Sequence, residues 1–194
     1  DNEHGMLDSL VDMWRYSASK FAGNPGILGY EIMNEPFAGN TYADPSLFLP
    51  GVAGKKNLAR MNDAVAKGIR EVDTDQIVFY EPVTWGMVFS GDIAGSGFDT
   101  VPGGAEFQDR SSFSFHYYCS TFSPSWTSKP VMQKAVCDKT VGPLVFKAVK
   151  EDLAKLGGAA MMTEGMSCPD ANQDECVFVQ NLADENLVSW TDYN

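Results

Sequence analysis

Apolar positions along the chain recur with two alternating periods. Residues 5–22 carry Leu7, Leu10, Val11, Trp14 and Phe21 at helical spacing, and Gly23-Asn24-Pro25-Gly26 breaks that helix. Ile27 to Met33 is a near-continuous apolar run. It predicts a strand covered on both faces, as in a parallel sheet. Glu31 interrupts the run and needs a partner if it is buried. Residues 37–54, with Pro45 and Pro50, predict a long irregular segment, in which Phe48 and Leu49 are a candidate wall for something apolar. Residues 55–72 return to helical spacing through Leu58, Met61, Val65, Ile69 and Val72. Gln76 to Tyr80 predicts a second strand, ending in Glu81-Pro82, and the Gly-rich stretch 86–111 a long loop. Ser112 to Tyr118 predicts a third strand, and 143–156 a helix that Gly157-Gly158 ends. Ala159 to Thr163 predicts a fourth strand tipped by Glu164-Gly165, 172–184 a helix, and Leu187 to Trp190 a fifth strand.

Strict alternation of strand and helix implies parallel pairing and an α/β fold. In open α/β sheets and in barrels, ligands and catalytic residues gather at the carboxyl ends of the strands. Every predicted strand carries polar or aromatic residues there. Asn34 and Glu35 follow the first strand, and Glu81 and Trp85 the second. His116 and Tyr118, two apart on the third, face one way. Glu164 tips the fourth, and Trp190 ends the fifth. Pro36 stops the first strand and biases Glu35 toward an extended backbone. Taken alone, Asn34-Glu35-Pro36 fits a loop glutamate at a helix start equally well, and His116 fits a satisfied core histidine.

Composition narrows the classes. The 194 residues suit one domain and fall short of the about 250 residues of a full (β/α)8 barrel. A net charge of −12 argues against nucleic acid and against anionic membrane surfaces, and is compatible with neutral sugars. The 12 Phe, 7 Tyr and 4 Trp are mostly core material, with a few left for sugar stacking. The chain starts with Asp and shows neither a signal-peptide pattern nor an apolar run of membrane length. Cys119, Cys137, Cys168 and Cys176 lack the paired spacing or histidine partners of a zinc site. Two disulfides in a secreted or lumenal protein are the expected use, with buried free thiols as the alternative. Neighbour pairing, Cys119 with Cys137 and Cys168 with Cys176, is one of three connectivities.

The string from Gly29 to Asn40, Gly-Tyr-Glu-Ile-Met-Asn-Glu-Pro-Phe-Ala-Gly-Asn, resembles the strand-four segment of glycoside hydrolase family 5. Within that family it is most similar to endoglycoceramidases and related glucosylceramidases. His116-Tyr117-Tyr118-Cys119 is similar to the strand-six segment of the same group. The resemblance implies a partial (β/α)8 barrel, strands four to eight with helices three to seven. Residues 1–194 would then be the C-terminal part of one catalytic domain truncated at both ends, a piece with two open sheet edges that is expected to be inactive alone.

By the same resemblance Glu35 is the acid/base and Glu164 the nucleophile of a retaining hydrolase. Such a pair stands about 5–5.5 Å apart. Asn34 would bond the sugar 2-hydroxyl, His116 would line the site, Tyr118 would position the nucleophile, and Trp190 would be the floor on which a sugar stacks. Glu81, the nearest acidic rival, and Trp85 are expected to line the same cleft. Around Glu164 the pattern departs from the family, where Phe-Gly commonly follows; here Gly165 and Met166 do. The Glu164 assignment therefore rests on strand count.

The implied activity is cleavage of the β-glycosidic bond between sugar and ceramide in glycosphingolipids. Phe48-Leu49, Phe122, Trp126 and Val131-Met132 are candidates for an apolar ceramide groove. The alternatives are an endo-β-1,4-glucanase or β-mannanase-type enzyme, or a non-catalytic carbohydrate-binding relative. No cofactor, metal or nucleic acid is expected, and no stable membrane insertion, only transient contact with a lipid surface. The expected location is secreted or lysosomal.

Overall fold

The structure is a computed structural model describing residues 2–49, 51–83, 95–118, 135–165 and 173–193. Helix α1 (Met6–Phe21) leads into strand β1 (Gly29–Glu31), and helix α2 (Ala59–Arg70) into β2 (Ile77–Tyr80). Strand β3 (Ser111–Tyr117) is followed by α3 (Gly142–Leu156), β4 (Ala159–Gly165), α4 (Gln173–Glu185) and β5 (Ser189–Trp190). The five strands pair in sequence order and all run parallel. This is the expected α/β architecture, five consecutive strands of a partial (β/α)8 barrel.

Alternation along each strand separates the two faces. Tyr30, Val78, Tyr80, Phe113, Phe115, Tyr117 and Met162 are buried in one hydrophobic core with side chains of α2, α3 and α4. Phe146 of α3 meets Phe115 edge-on at 5.4 Å and Tyr117 at 6.3 Å. From α1, Trp14 lies edge-on to Tyr30 and gives its indole N–H to the Ile32 carbonyl at 3.1 Å. Gly68 lets α2 approach α1, because a Cβ there would lie 2.7 Å from Val11.

The other face carries a cluster of polar side chains. Glu31 accepts hydrogen bonds from Ser114 and, at 2.7 Å, from Thr163, so three strands are tied by side chains that their alternation brings together. This answers the requirement for a partner to Glu31. At the amino ends of the strands, buried Arg70 donates to the carbonyls of Gln76 at 2.7 Å and Arg110 at 2.6 Å, while Tyr30 donates to Asp73 at 2.6 Å.

Element ends differ from the sequence expectation where turns intervene. The first strand pairs only over Gly29–Glu31, because the chain beyond it bends away toward Glu35. A π-turn, Gly54–Leu58, precedes α2, and Pro45–Phe48 forms a 3-10 turn inside the expected irregular segment. The described end of the expected 86–111 loop carries another 3-10 turn, Ala105–Arg110, directly before β3.

Gly29 has no room for a side chain, since a Cβ would come within 2.1 Å of the Ile77 carbonyl on the neighbouring strand. Gly29→Ala is expected to destabilise the protein by about 1–3 kcal/mol, read as a lower midpoint in urea denaturation; an unchanged midpoint would contradict this packing.

Candidate active site

The site grows from what the inward face presents as each strand ends. On β2 the inward positions are Ile77, Phe79 and then Glu81; on β3 they are Ser112, Ser114, His116 and Tyr118. Simple alternation along β4 would turn Thr163 inward and Glu164 outward. Both turn inward, because the β3–β4 register shifts between Phe115 and His116: Phe115 pairs with Met162, and His116 with Glu164. The extra residue is a bulge, a device that re-aims a side chain at a strand end. It leaves Thr163 on Glu31 and brings Glu164 to Tyr118.

Glu35 lies past the end of β1 with φ of +44°, in the left-handed region. The expected extended backbone is therefore not found. A non-glycine residue held there is strained by about 1–3 kcal/mol, and a following proline adds to the disfavour. The local preference is overridden by a contact from the next strand: the Glu35 backbone N–H donates to Glu81 Oε2 at 2.7 Å.

Around His116 the carboxylates converge. Its Nδ1 lies 3.0 Å from Glu35 Oε1, 3.6 Å from Glu81 Oε1 and 3.6 Å from Glu164 Oε2. One carboxylate oxygen each of Glu35 and Glu164 lies within 4.8 Å of the other. The Glu35 side chain is 44% exposed and that of Glu164 23%, whereas Glu81 and His116 are fully buried. The Tyr118 hydroxyl donates to Glu164 Oε2 at 2.9 Å. Burial, then the bond to Glu164, pushes the Tyr118 phenol well above its ordinary range, so it stays a donor at any physiological pH. Asn34, beside Glu35, is exposed at the same end. Two open acids and a tyrosine donor, on a rigid sheet, are equipment for general acid/base and nucleophilic chemistry at one centre.

Two donor sets, Glu35-His116-Glu164 and Glu31-Glu81-His116, have the residue types that divalent cations accept, each within 4.8 Å. Hydrogen bonding and strand packing account for the same closeness.

The profile of the cellulase family, glycosyl hydrolase family 5, matches residues 2–194. The chain belongs to that family. Among curated proteins it is similar to an endoglycoceramidase of Cyanea nozakii, 35% identical over 98% of this chain and 34% of the relative. A second, from Hydra vulgaris, is 43% identical over 61% of this chain and 22% of the relative. The chain thus spans about a third or less of the length of these relatives. The structure of endo-glycoceramidase II from Rhodococcus sp., as an iminocyclitol complex, matches 98% of this chain and 41% of that one, with a TM-score of 0.76 at 21% identity.

Within this family 5 chain, the structure brings Glu35, His116, Tyr118 and Glu164 together, with Asn34 alongside. It corrects two other placements. Glu81 does not line the cleft: its side chain is fully buried beneath Glu35 and His116. It forms with Glu31 and His116 a second close cluster, so proximity of two acids is not unique to Glu35 and Glu164. Trp190 does not form a floor. Ser189 and Thr191 line cavities on the inward face, so Trp190 between them points outward. Its indole N–H points to Asp184 of α4 at 3.4 Å. The next inward position is Tyr193, which is exposed and near enough to Tyr118 to add to the rise of that phenol. Reading the alternation on from Ser189 finds it.

Trp85, Phe122, Trp126, Val131 and Met132 lie outside the described residues, as do Cys119 and Cys168. Cys137 and Cys176 are both disulfide-bonded. Leu49 is exposed at 57% and Phe48 at 42%, while Leu47 turns into the core. Among the described residues no helix is long and apolar enough to cross a membrane. A cavity of about 550 Å³ opens at the amino-terminal end of the strands along Ile77, Ser112 and Ala159, away from the glutamates. It exists because the inward face has no facing layer there among the described residues, and it carries no acid, base or nucleophile of the converging set.

Burial raises the phenols of Tyr30 and Tyr80 as it does that of Tyr118, aided by the Asp73 hydrogen bond and the Asp152 charge respectively. The fold thus favours the neutral forms. Their contribution to stability is full below the ordinary phenol value of 10.0 and is lost as pH rises above it. Phenolate absorbance is expected to show these three of the 7 tyrosines silent until alkaline unfolding; all seven titrating together in the folded protein would contradict this environment.

Proposed function

We propose that the protein carrying this chain is a retaining glycoside hydrolase that splits the β-glycosidic bond between sugar and ceramide in glycosphingolipids. The observation that carries the reading is the Glu35–Glu164 pair, with carboxylate oxygens within 4.8 Å at the carboxyl ends of parallel strands. Carboxyl groups stand about 5–5.5 Å apart in retaining enzymes and about 6.5–9.5 Å apart in inverting ones, and an approach of one oxygen of each residue within 4.8 Å supports the shorter spacing. The names of the curated relatives from Cyanea nozakii and Hydra vulgaris support the glycolipid substrate. In this reading residues 1–194 are the later part of one catalytic (β/α)8 domain in a secreted or lysosomal protein.

Glu164 is the nucleophile. Its carboxylate attacks the anomeric carbon while the bond to the ceramide oxygen breaks, and Glu35 gives that oxygen its proton. The product is a glycosyl ester on Glu164. Glu35, now ionised, takes a proton from water; the water oxygen bonds the anomeric carbon, the ester bond breaks, and Glu164 leaves as a carboxylate. Tyr118 holds one Glu164 oxygen through its 2.9 Å bond, and His116 holds Glu35 through the 3.0 Å contact. Asn34 takes the sugar 2-hydroxyl, and Tyr193 offers the exposed aromatic face at this end of the sheet.

A second reading, an endo-β-glucanase, draws on the family profile itself, which is that of cellulases. Turnover of a detergent-solubilised glycosphingolipid against soluble cello-oligosaccharides separates the two.

In the complete natural protein, Glu164→Gln should abolish turnover and leave substrate binding. Glu35→Ala should lose about 10²–10⁴-fold on substrates with poor leaving groups, yet act on activated aryl glycosides and respond to azide. Equal losses for both variants on every substrate would defeat the assignment of roles.

A further inference from the structure

Glu35 is placed against its own backbone preference. It takes a φ of +44° without being glycine, and Pro36 follows it. Something in the fold must hold it. The described contacts offer one grip at each end of the residue. At the main chain, the N–H donates to Glu81 Oε2 at 2.7 Å. At the side chain, Oε1 meets His116 Nδ1 at 3.0 Å. The other Glu81 oxygen lies 3.6 Å from the same His116 nitrogen, an ion-pair distance beyond hydrogen-bond reach, so the direct grip of Glu81 on Glu35 is the one at the main chain. Glu81 cannot reach a substrate: it is fully buried, below the tip that Glu35 exposes. A hydrogen bond from an amide to a carboxylate is stronger than one to a neutral oxygen, and more so away from water.

We propose that Glu81 is a positioning residue for the reaction, the buried clamp that keeps Glu35 in its left-handed backbone and aims its carboxyl at Glu164. The inference rests on the reading of Glu35 as acid/base. With the clamp removed, the Glu35 N–H loses its acceptor and the residue relaxes to the extended backbone that Pro36 favours. The carboxyl then leaves the reacting centre, and a misplacement of about 1 Å costs about 10²-fold in rate. The nucleophile stays, because Glu164 is held from Tyr118 and by the β4 bulge. A Glu81 variant should therefore behave like a protein with a damaged acid/base although Glu35 is intact.

The test uses Glu81→Ala and Glu81→Gln in the complete natural protein. Rates are normalised to active sites counted by trapping with a 2-deoxy-2-fluoro glycoside. For Glu81→Ala the expected result is a loss of about 10²-fold in kcat/KM on poor leaving groups, a change of only a few fold on an activated aryl glycoside, and faster turnover with azide, forming a glycosyl azide. Glu81→Gln, which keeps a carbonyl for the Glu35 N–H, should fall between Glu81→Ala and the natural protein, and it serves if the alanine variant does not fold. A loss of the same size on every leaving group, with no response to azide, indicates a purely structural role and overturns the proposal. Crystal structures of the variants give a readout independent of activity: Glu35 at negative φ in Glu81→Ala is expected, and an unchanged positive φ overturns the clamp. If Glu35→Ala in the complete natural protein loses the same factor on every leaving group and does not respond to azide, the acid/base reading fails whatever the backbone does.

Discussion

Two carboxylates, Glu35 and Glu164, are held with oxygens within 4.8 Å of each other. If both are ionised, their repulsion is about 3 kcal/mol or more at an effective dielectric constant of about 20. Flexible chain would separate them. Here each is fixed from behind: Glu164 by a strand bulge and the Tyr118 hydroxyl, Glu35 by Glu81 and His116. These supports stand on a parallel sheet whose outer face packs into an aromatic-rich core. The same closeness is what a double-displacement reaction needs, since one group must bond the anomeric carbon while the other reaches its leaving oxygen.

Much of this arrangement was legible in the residues. Apolar runs bounded by glycine and proline gave the alternating elements, because buried parallel strands are apolar on both faces and amphipathic helices are not. Glu35, Glu81 and Glu164 each end such a run, so the topology alone places them at one end of the sheet. His116 and Tyr118 share a face by a spacing of two, and the structure keeps them together.

What was not legible depends on departures from regular period. Alternation cannot foresee the bulge that turns Glu164 inward, since the extra residue shows only in the pairing with β3. The extended preference of a residue before proline gave the wrong backbone for Glu35, because the long-range hydrogen bond that its N–H donates to Glu81 outweighs it. Glu81 read as a cleft residue, and is buried, since nothing local shows that Glu35 and His116 cover it. The family resemblance pointed to Trp190 as a sugar floor, but its position in β5 faces it to α4, while exposed Tyr193 lies near enough to Tyr118 to act on its phenol.

The central claim, that the spacing of the two glutamates sets a double displacement, is tested most directly by the anomeric configuration of the first product. Proton NMR of a fresh digest of a β-linked glycosphingolipid or aryl β-glycoside by the complete natural protein should show the β-anomer of the released sugar first. The α-anomer should grow in only by mutarotation. The α-anomer as first product would mean direct attack by water, a spacing unlike the one seen here, and a different reaction for these residues.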